Sequence, residues 1–204
     1  FEPTLWLSNS LNRANVNACR IRPRKMKWTF GDLHLFPGTS VISLGGNGNE
    51  IAGQVTVHGT EEHPVTFLPG GGQMSQRVSA NLSGDGLVRF LSTEYAYPNN
   101  AVTNRLTGSN TGFTGAIDVT TTGFSYEYAT GAYGYRDESK RNWMTLWIDS
   151  EENLGAAPAA FTYNQLRLRN GGPLFVAADV TIDDANRGIF VEGAGVMAVA
   201  AGKT

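Results

Sequence analysis

The sequence predicts an all-β protein, and it favours a solenoid over a sandwich or a barrel. Short strand candidates recur about every 8 to 12 residues, which is a spacing typical of all-β folds. Glycine-rich turns such as Pro69–Gly72 and Ser83–Gly86 separate them. No segment of helical length carries an apolar stripe with a period of about 3.6 residues. The fold class predicted is therefore all-β.

The strand candidates run through most of the chain, and one helical turn is expected near Asp137. In the first half the predicted strands are Lys27–Phe30, Leu33–Leu35, Val41–Leu44, Ile51–His58, Pro64–Leu68, Val78–Leu82 and Leu87–Leu91. In the second half they are Ala116–Val119, Phe124–Tyr128, Trp143–Ile148, Leu166–Arg169, Leu174–Val176, Val180–Ile182, Gly188–Val191 and Val196–Val199.

The strands near the C-terminal end favour the solenoid. Their apolar residues form pairs spaced two apart, which places both members of a pair on one face of a strand. The pairs are Leu166 and Leu168, Leu174 and Val176, Val180 and Ile182, Ile189 and Val191, and Met197 and Val199. A solenoid requires this pattern because stacked rungs place like residues above like. A sandwich also tolerates it.

The composition restricts the classes of partner. Charged residues make up 17% of the chain, below the roughly 25% of an ordinary soluble domain. A formal net charge of -2 argues against a nucleic-acid or anionic-membrane partner. Cys19 is the only cysteine, so neither an intrachain disulfide nor a thiolate metal cluster is expected. No run of about 18 apolar residues predicts a membrane-spanning helix.

The two termini predict cuts through a longer polypeptide. The chain opens at Phe1 without an initiator Met, and it closes in the turn-like stretch Ala201–Thr204. The alternative is a processed mature protein with disordered ends.

Three successive motifs lie near the C-terminal end, at Asn153–Thr162, Leu166–Leu174 and Val180–Ile189. They resemble the autotransporter-associated β-strand repeat proteins, in which an LG-x-x-P turn, an L-x-L-x-NGG-x-L rung and an NRGI rung follow one another. The segment Leu106–Ile117 is similar to the LSG-x-NTYTGGT signature of that family, with Gly112-Phe113 in place of a single Tyr. The resemblance covers residues 106–120 and 153–204, about a third of the chain.

The resemblance implies a right-handed parallel β-helix that is exported to the bacterial cell surface and serves as a scaffold or adhesin. It divides the chain into a β-rich solenoid segment or cap at residues 1–105 and repeat-like rungs at residues 106–204. An aromatic-rich insertion around residues 124–142 has no counterpart in the family pattern. Within the rungs, Asn110, Asn170 and Asn186 are expected to satisfy backbone groups at the corners.

Three groups of titratable residues are better explained as structural than as catalytic. His58 and His63 flank Glu61-Glu62, but zinc needs further preorganised ligands, so a solvated turn between two strands is expected. Asp179, Asp183 and Asp184 precede Arg187, a set that in principle binds calcium and abstracts a proton. The repeat motif already accounts for Arg187, so structural use is expected. The loop carboxylates Asp149, Glu151 and Glu152 are expected to be solvated.

Aromatic residues in the middle of the chain are the candidate contacts for a ligand or a partner. Exposed aromatic rows stack on sugar rings or form protein interfaces. The alternative is a loop that packs over the flank of the solenoid. The candidate residues are Tyr126, Tyr128, Tyr133, Tyr135 and Trp143.

These observations predict a structural or adhesive segment of a large exported bacterial surface protein or filament, and they do not predict an enzyme. No catalytic, cofactor-binding or metal-binding residue is expected. The expected partners are neighbouring rungs or copies of the same protein, and glycans. One alternative is a carbohydrate-binding or polysaccharide-cleaving β-helix, and a further alternative is a phage fibre domain.

Overall fold

The computed structural model describes residues 4–7, 20–21, 26–43, 48–69, 75–92, 103–121, 145–169, 172–193 and 195–204, and the structural statements below concern those residues. Within them the protein is a parallel β-helix, because every pairing between neighbouring strands is parallel. The predicted all-β solenoid is confirmed. Parallel crossover connections are right-handed almost without exception, which is the sense that the resemblance implies.

The described strands are short, and a single-turn 3₁₀ helix, Glu151–Leu154, lies among them. In chain order the strands are β1 Thr4–Leu7, β2 Arg20–Ile21, β3 Lys27–Leu35, β4 Ser40–Ser43, β5 Asn49–Val57, β6 Val65–Pro69, β7 Ser75–Val78, β8 Asn81–Gly84, β9 Val88–Ser92, β10 Thr103–Leu106, β11 Gly112–Phe113, β12 Ile117–Thr121, β13 Thr145–Ile148, β14 Thr162–Arg169, β15 Pro173–Val176, β16 Arg187–Glu192 and β17 Val196–Val199.

The strands form two sheets, and the chain alternates between them. Sheet A follows the order β1, β3, β5, β7, β10, β13, β15 and β17, with β8 beside β5 and β11 beside β8. Sheet B follows the order β2, β4, β6, β9, β12, β14 and β16. Each coil therefore adds to both sheets. Both sheets also continue across the boundary between residues 105 and 106, because β10 pairs with β7 and β13 in sheet A and β12 pairs with β9 and β14 in sheet B.

The core is a set of columns of apolar side chains that run from coil to coil between the sheets. In sheet A, Leu33 pairs with Val55 and Val55 with Leu82, and all three are buried. In sheet B, Phe67 and Phe90 are fully buried and their ring centroids lie 5.4 Å apart. The period of two along each strand brings these residues inward, and each rung buries them only with the help of its neighbours.

Asparagine side chains tie the corners of successive coils together. Asn110 accepts a hydrogen bond from the backbone N–H of Leu82 at 2.7 Å and donates to the backbone oxygen of Asn153 at 2.7 Å. Asn186 donates to the backbone oxygen of Pro158 at 2.8 Å. The corner role predicted for Asn110 and Asn186 is confirmed, and Asn170 lies outside the described residues.

A bulge in sheet A needs a glycine. Between the pairs Phe30–Gly53 and Leu33–Val55, β3 carries one more residue than β5. Gly53 has a φ of 95°, and a Cβ placed on it would lie 1.8 Å from the backbone oxygen of Phe30. Any side chain at Gly53 would therefore meet both a strained backbone and a steric clash.

Most predicted strands that fall within the described residues are present, with two segments joined in β3 and the ends of several others shifted. The prediction of a strand at Val180–Ile182 is wrong, because this segment is irregular and forms a corner between β15 and β16. Its two aliphatic side chains pack against the core. The spacing of two between Val180 and Ile182 therefore arises from their packing on the core and does not indicate a strand. The predicted strand at Phe124–Tyr128 and the turn near Asp137 lie outside the described residues.

The prediction of one strand at Val78–Leu82 is also wrong, because the chain bends between β7 and β8. The backbone N–H groups of Ser79 and Ala80 both donate to the backbone oxygen of Ile51, at 2.9 and 3.0 Å. Two successive amides that share one acceptor interrupt the regular parallel ladder.

The last described coil exposes its inward side in this structure. Ile189, Val191, Met197 and Val199 pair with Leu166, Leu168, Leu174 and Val176 of the coil before. The four residues of the earlier coil are buried, whereas those of the last coil are 37%, 53%, 48% and 50% exposed. The inward columns therefore end in a half-exposed aliphatic surface, called here the terminal face.

Candidate functional site

The outer side of sheet B carries a groove in which aromatic and charged side chains meet. Its volume is about 490 Å³, within the range of roughly 300 to 1,000 Å³ of small-molecule sites. The residues that line this sheet B groove are Glu61, Tyr163, Asn164, Arg167, Arg169, Phe190 and Glu192. Strands β14 and β16 supply most of them, and Glu61 comes from the turn that precedes β6.

Register brings the charged groups together. Arg89, Asp118, Arg167 and Phe190 are Cα partners along four successive strands of sheet B. Their neighbours in the sequence, such as Phe90 and Val119, are fully buried in the core. The period of two therefore directs the four partners to the outer side of the sheet.

Asp118 anchors the floor of this region. Its carboxylate is buried and accepts a hydrogen bond from Nε of Arg89 at 2.8 Å and one from Nε of Arg169 at 3.0 Å. The Nη2 group of Arg169 bonds the second carboxylate oxygen, so Arg169 makes a two-point contact. Asp118 raises the pKa of the Arg169 guanidinium above its ordinary value, chiefly through these hydrogen bonds. A buried carboxylate with two such partners fixes the position of both guanidinium groups.

A second ion pair closes one side of the groove. Arg167 donates to Glu61 through both Nη1 and Nη2, with the Nη1 bond at 2.6 Å, and donates through Nε to the backbone oxygen of Asn164. These bonds lower the pKa of the Glu61 carboxyl below its ordinary value and raise the pKa of Arg167. A carboxyl held ionised in this way is a poor general acid. Because its pKa is lowered, the same carboxylate is also only weakly basic.

Two aromatic rings form the other side. Tyr163 is 62% exposed and Phe190 is 37% exposed, and their ring centroids lie 6.2 Å apart at an interplanar angle of 83°. Glu192 lies further along β16, opposite Arg169, with one carboxylate oxygen 3.9 Å from Nη1 of Arg169. The groove thus combines exposed apolar rings with hydrogen-bonding groups whose positions are fixed.

The aromatic residues proposed from the sequence as contacts, Tyr126, Tyr128, Tyr133, Tyr135 and Trp143, lie outside the described residues. The nearby Trp147 is described, and it lies on the outer side of sheet A. Its ring centroid is 4.4 Å from that of Phe175, and the guanidinium carbon of Arg105 is 4.5 Å from the Trp147 centroid.

The histidine motif does not form a metal site with its two glutamates. Glu61 bonds Arg167, and Glu62 lies 3.6 Å from His63. His58 contacts His34, with Nε2 of His58 3.0 Å from Nδ1 of His34. Nε2 of His34 in turn lies 3.2 Å from a carboxylate oxygen of Asp32. Across the part of the chain that the structure describes, no group of three or more histidine, cysteine or acidic residues is arranged to hold a metal ion.

The acidic residues near the C-terminal end lie in separate places. Asp179 accepts a hydrogen bond from the backbone N–H of Thr204 at 3.0 Å and contacts Lys203 at 3.3 Å. The hydrogen bond from the Thr204 N–H lowers the pKa of the Asp179 carboxyl below its ordinary value. Asp184 lies 3.6 Å from Arg187. Asp179 is thus engaged with the end of the chain and not with Arg187.

Arg187 has the structural role expected of it. Its buried guanidinium donates to the backbone oxygens of Leu154 and Gly155, at 2.9 and 3.0 Å, and to Oε1 of Gln165 at 2.9 Å. These contacts join β16 to the preceding coil.

Sequence reasoning missed the sheet B groove. The alternation in Leu166-Arg167-Leu168-Arg169 did place both arginines on the face opposite the leucines. Nothing in this pattern indicates that Arg167 pairs with Glu61, because the two residues are 106 positions apart in the sequence.

Comparison with protein-family models, with curated proteins and with solved structures found no match to this chain. Among the described residues, none belongs to a helix that is long and apolar enough to cross a bilayer.

Proposed function

We propose that this chain is a structural segment of a large exported bacterial surface protein, and that its coils stack on further coils of the same kind. In this role the solenoid is a stiff spacer that presents loops and grooves along its sides. The proposal places the protein outside the cell, at the surface, as the resemblance to autotransporter repeats implies. It assigns the chain no catalytic reaction.

The exposure of the terminal face is the main support for this proposal. Val191 and Val199 are about half exposed, whereas the residues one coil earlier, Leu168 and Val176, are buried. An exposed aliphatic surface of this kind marks an interaction site or an aggregation hazard. A parallel coil with the same inward pattern is the occupant that fits, because such a coil covers every preceding rung in this way.

The backbone supports the same occupant. Strands β16 and β17 are the last members of sheets B and A within the described residues, and each pairs with a strand on one side. Such edges expose unpaired N–H and C=O groups that recruit another strand. The segment after β17 lies against the corner of the preceding coil, where the backbone N–H of Val180 donates to the backbone oxygen of Thr204 at 3.0 Å.

Sedimentation velocity over a range of concentrations tests the proposal. The chain is expected to associate head to tail into open-ended chains, because a heterologous contact between parallel coils does not close. The double variant Val191→Lys/Val199→Lys places two charges on the terminal face and is expected to remain monomeric. The control Gln54→Lys/Thr111→Lys adds the same charge at exposed positions on the side of the solenoid and is expected to associate like the wild type.

Two results would count against this role. A wild-type chain that stays monomeric at high concentration would remove its physical basis. A closed trimer with threefold symmetry would instead favour a phage fibre domain.

Surface location is tested separately, with antibodies against the chain applied to intact and permeabilised cells. Labelling that requires permeabilisation would exclude an exported location.

A further inference from the structure

We propose that the sheet B groove binds a neutral oligosaccharide. This site is distinct from the terminal face, because the residues that carry it face outward from sheet B and not along the solenoid axis.

The exposed rings supply the first argument. Tyr163 and Phe190 stand on adjacent rungs, and both expose ring surface although they contact each other. A sugar ring presents C–H groups on its faces and hydroxyl groups around its rim. Flat aromatic surfaces cover such faces, and the Tyr163 hydroxyl remains a polar handle at the edge.

The fixed polar groups supply the second argument. Arg169 is held by Asp118, and Arg167 is held by Glu61, so neither guanidinium has to be ordered when a ligand arrives. Groups that are positioned before binding add affinity by reducing the entropy lost on association. The carboxylates of Glu61 and Glu192 are 70% and 55% exposed and are acceptors for sugar hydroxyl groups.

The charge balance selects a neutral ligand. Three formal positive charges, on Arg89, Arg167 and Arg169, are matched by three formal negative charges, on Glu61, Asp118 and Glu192. An anionic polymer would have to displace Glu61 from Arg167 or leave its own charge unpaired in the groove. An uncharged sugar chain meets neither obstacle, and the groove volume of about 490 Å³ suits a short oligosaccharide.

Isothermal titration calorimetry with a panel of oligosaccharides tests the site on the full chain. The neutral probes are cellohexaose, maltohexaose and mannohexaose, and the anionic comparator is an oligogalacturonate of similar length. At least one neutral probe is expected to bind. Tyr163→Ala and Phe190→Ala are each expected to weaken that binding roughly tenfold or more, because each removes the surface of one aromatic ring.

Phe161→Ala is the matched control. Phe161 is 69% exposed and precedes β14, but it does not line the groove, so its loss is expected to leave affinity unchanged. Glu192→Gln provides a second test on an exposed side chain and is expected to weaken binding without lowering the melting temperature.

The proposal is overturned if the folded chain binds none of the neutral probes or binds only the oligogalacturonate. It is also overturned if Tyr163→Ala and Phe190→Ala bind as tightly as the wild type while melting at the same temperature. Monomeric Val191→Lys/Val199→Lys protein is expected to retain the affinity, which separates failure of this site from failure of coil stacking.

Discussion

Gln76 and Asn104 are partners on neighbouring strands of sheet A, and both side chains are buried in the core. Among the described residues, neither amide has a hydrogen-bond partner on its nitrogen or its oxygen. A buried amide without partners costs about 1 to 3 kcal/mol of stability. The same column holds the buried Asn49 on one side of the pair and Leu146 and Leu174 on the other, so the interior accepts leucine in the rungs that follow.

The double variant Gln76→Leu/Asn104→Leu is therefore expected to unfold at a higher temperature than the wild type in a thermal melt. Asn110→Leu is the control, since the buried amide of Asn110 bonds Leu82 and Asn153 and its loss is expected to lower the melting temperature. A double variant that melts below the wild type would show that the two amides stabilise the core.

The ion pair of Glu61 and Arg167 makes stability depend on pH. Hydrogen bonds from Arg167 lower the pKa of Glu61 from 4.5 in the unfolded chain. The stabilisation is therefore fully present above about pH 4.5 and is lost as the pH falls through the lower pKa of the folded state. Because the Glu61 side chain is 70% exposed, its contribution is expected to be below about 1 kcal/mol.

Thermal melts of Glu61→Gln across pH 3 to 7 are expected to show a small deficit relative to the wild type at neutral pH. The deficit should shrink towards the acidic end, as Glu61 itself becomes protonated. Glu62→Gln, which changes a side chain that is 86% exposed, is expected to melt like the wild type throughout. A Glu61→Gln deficit that stays constant with pH would mean that the carboxylate charge contributes nothing.

At the scale of the strand, the bulge between β3 and β5 is the most sensitive element. Gly53 and Gly48 have nearly the same positive φ, 95° and 93°, but only Gly53 has backbone within reach of an added Cβ. Gly48→Ala is expected to cost about 1 to 2 kcal/mol from backbone strain alone. Gly53→Ala is expected to cost about 1 to 3 kcal/mol more, because the bulge has to open.

Urea denaturation of the two variants separates the two contributions. Equal losses of unfolding free energy would show that φ alone decides the outcome and that the bulge yields without cost. A larger loss for Gly53→Ala is the result that the contact with Phe30 predicts.

The sequence predicted most strands because alternation of apolar residues reports directly on a rung that is buried on one side. It failed at Val180–Ile182 because a corner that packs on the core buries the same residues as a strand. It failed between β7 and β8 because the bend depends on where the amides of Ser79 and Ala80 find an acceptor. Which backbone oxygen accepts from a given amide depends on the tertiary structure, and a pattern of hydrophobic residues does not predict it.

At the scale of the molecule, stacking in register places equivalent positions of successive coils above one another, so a repeated sequence pattern predicts a column of side chains. The columns of the core and the corner positions of Asn110 and Asn186 follow from repetition, so they could be predicted. The sheet B groove could not, because Glu61 and Arg167 meet across several coils and belong to no shared motif. Sites that form between coils depend on the number of residues in each coil, and in this chain that number differs from coil to coil.

The central claim is that the terminal face receives another parallel coil. Hydrogen exchange of the backbone amides in Arg187–Glu192 and Val196–Val199, measured in dilute and in concentrated solution, tests it most directly. Association through the terminal face predicts that exchange in β16 and β17 slows on concentration towards the rate of β15, while Val191→Lys/Val199→Lys shows no change. Assembly that leaves these amides exchanging as fast as in the monomer would contradict the claim.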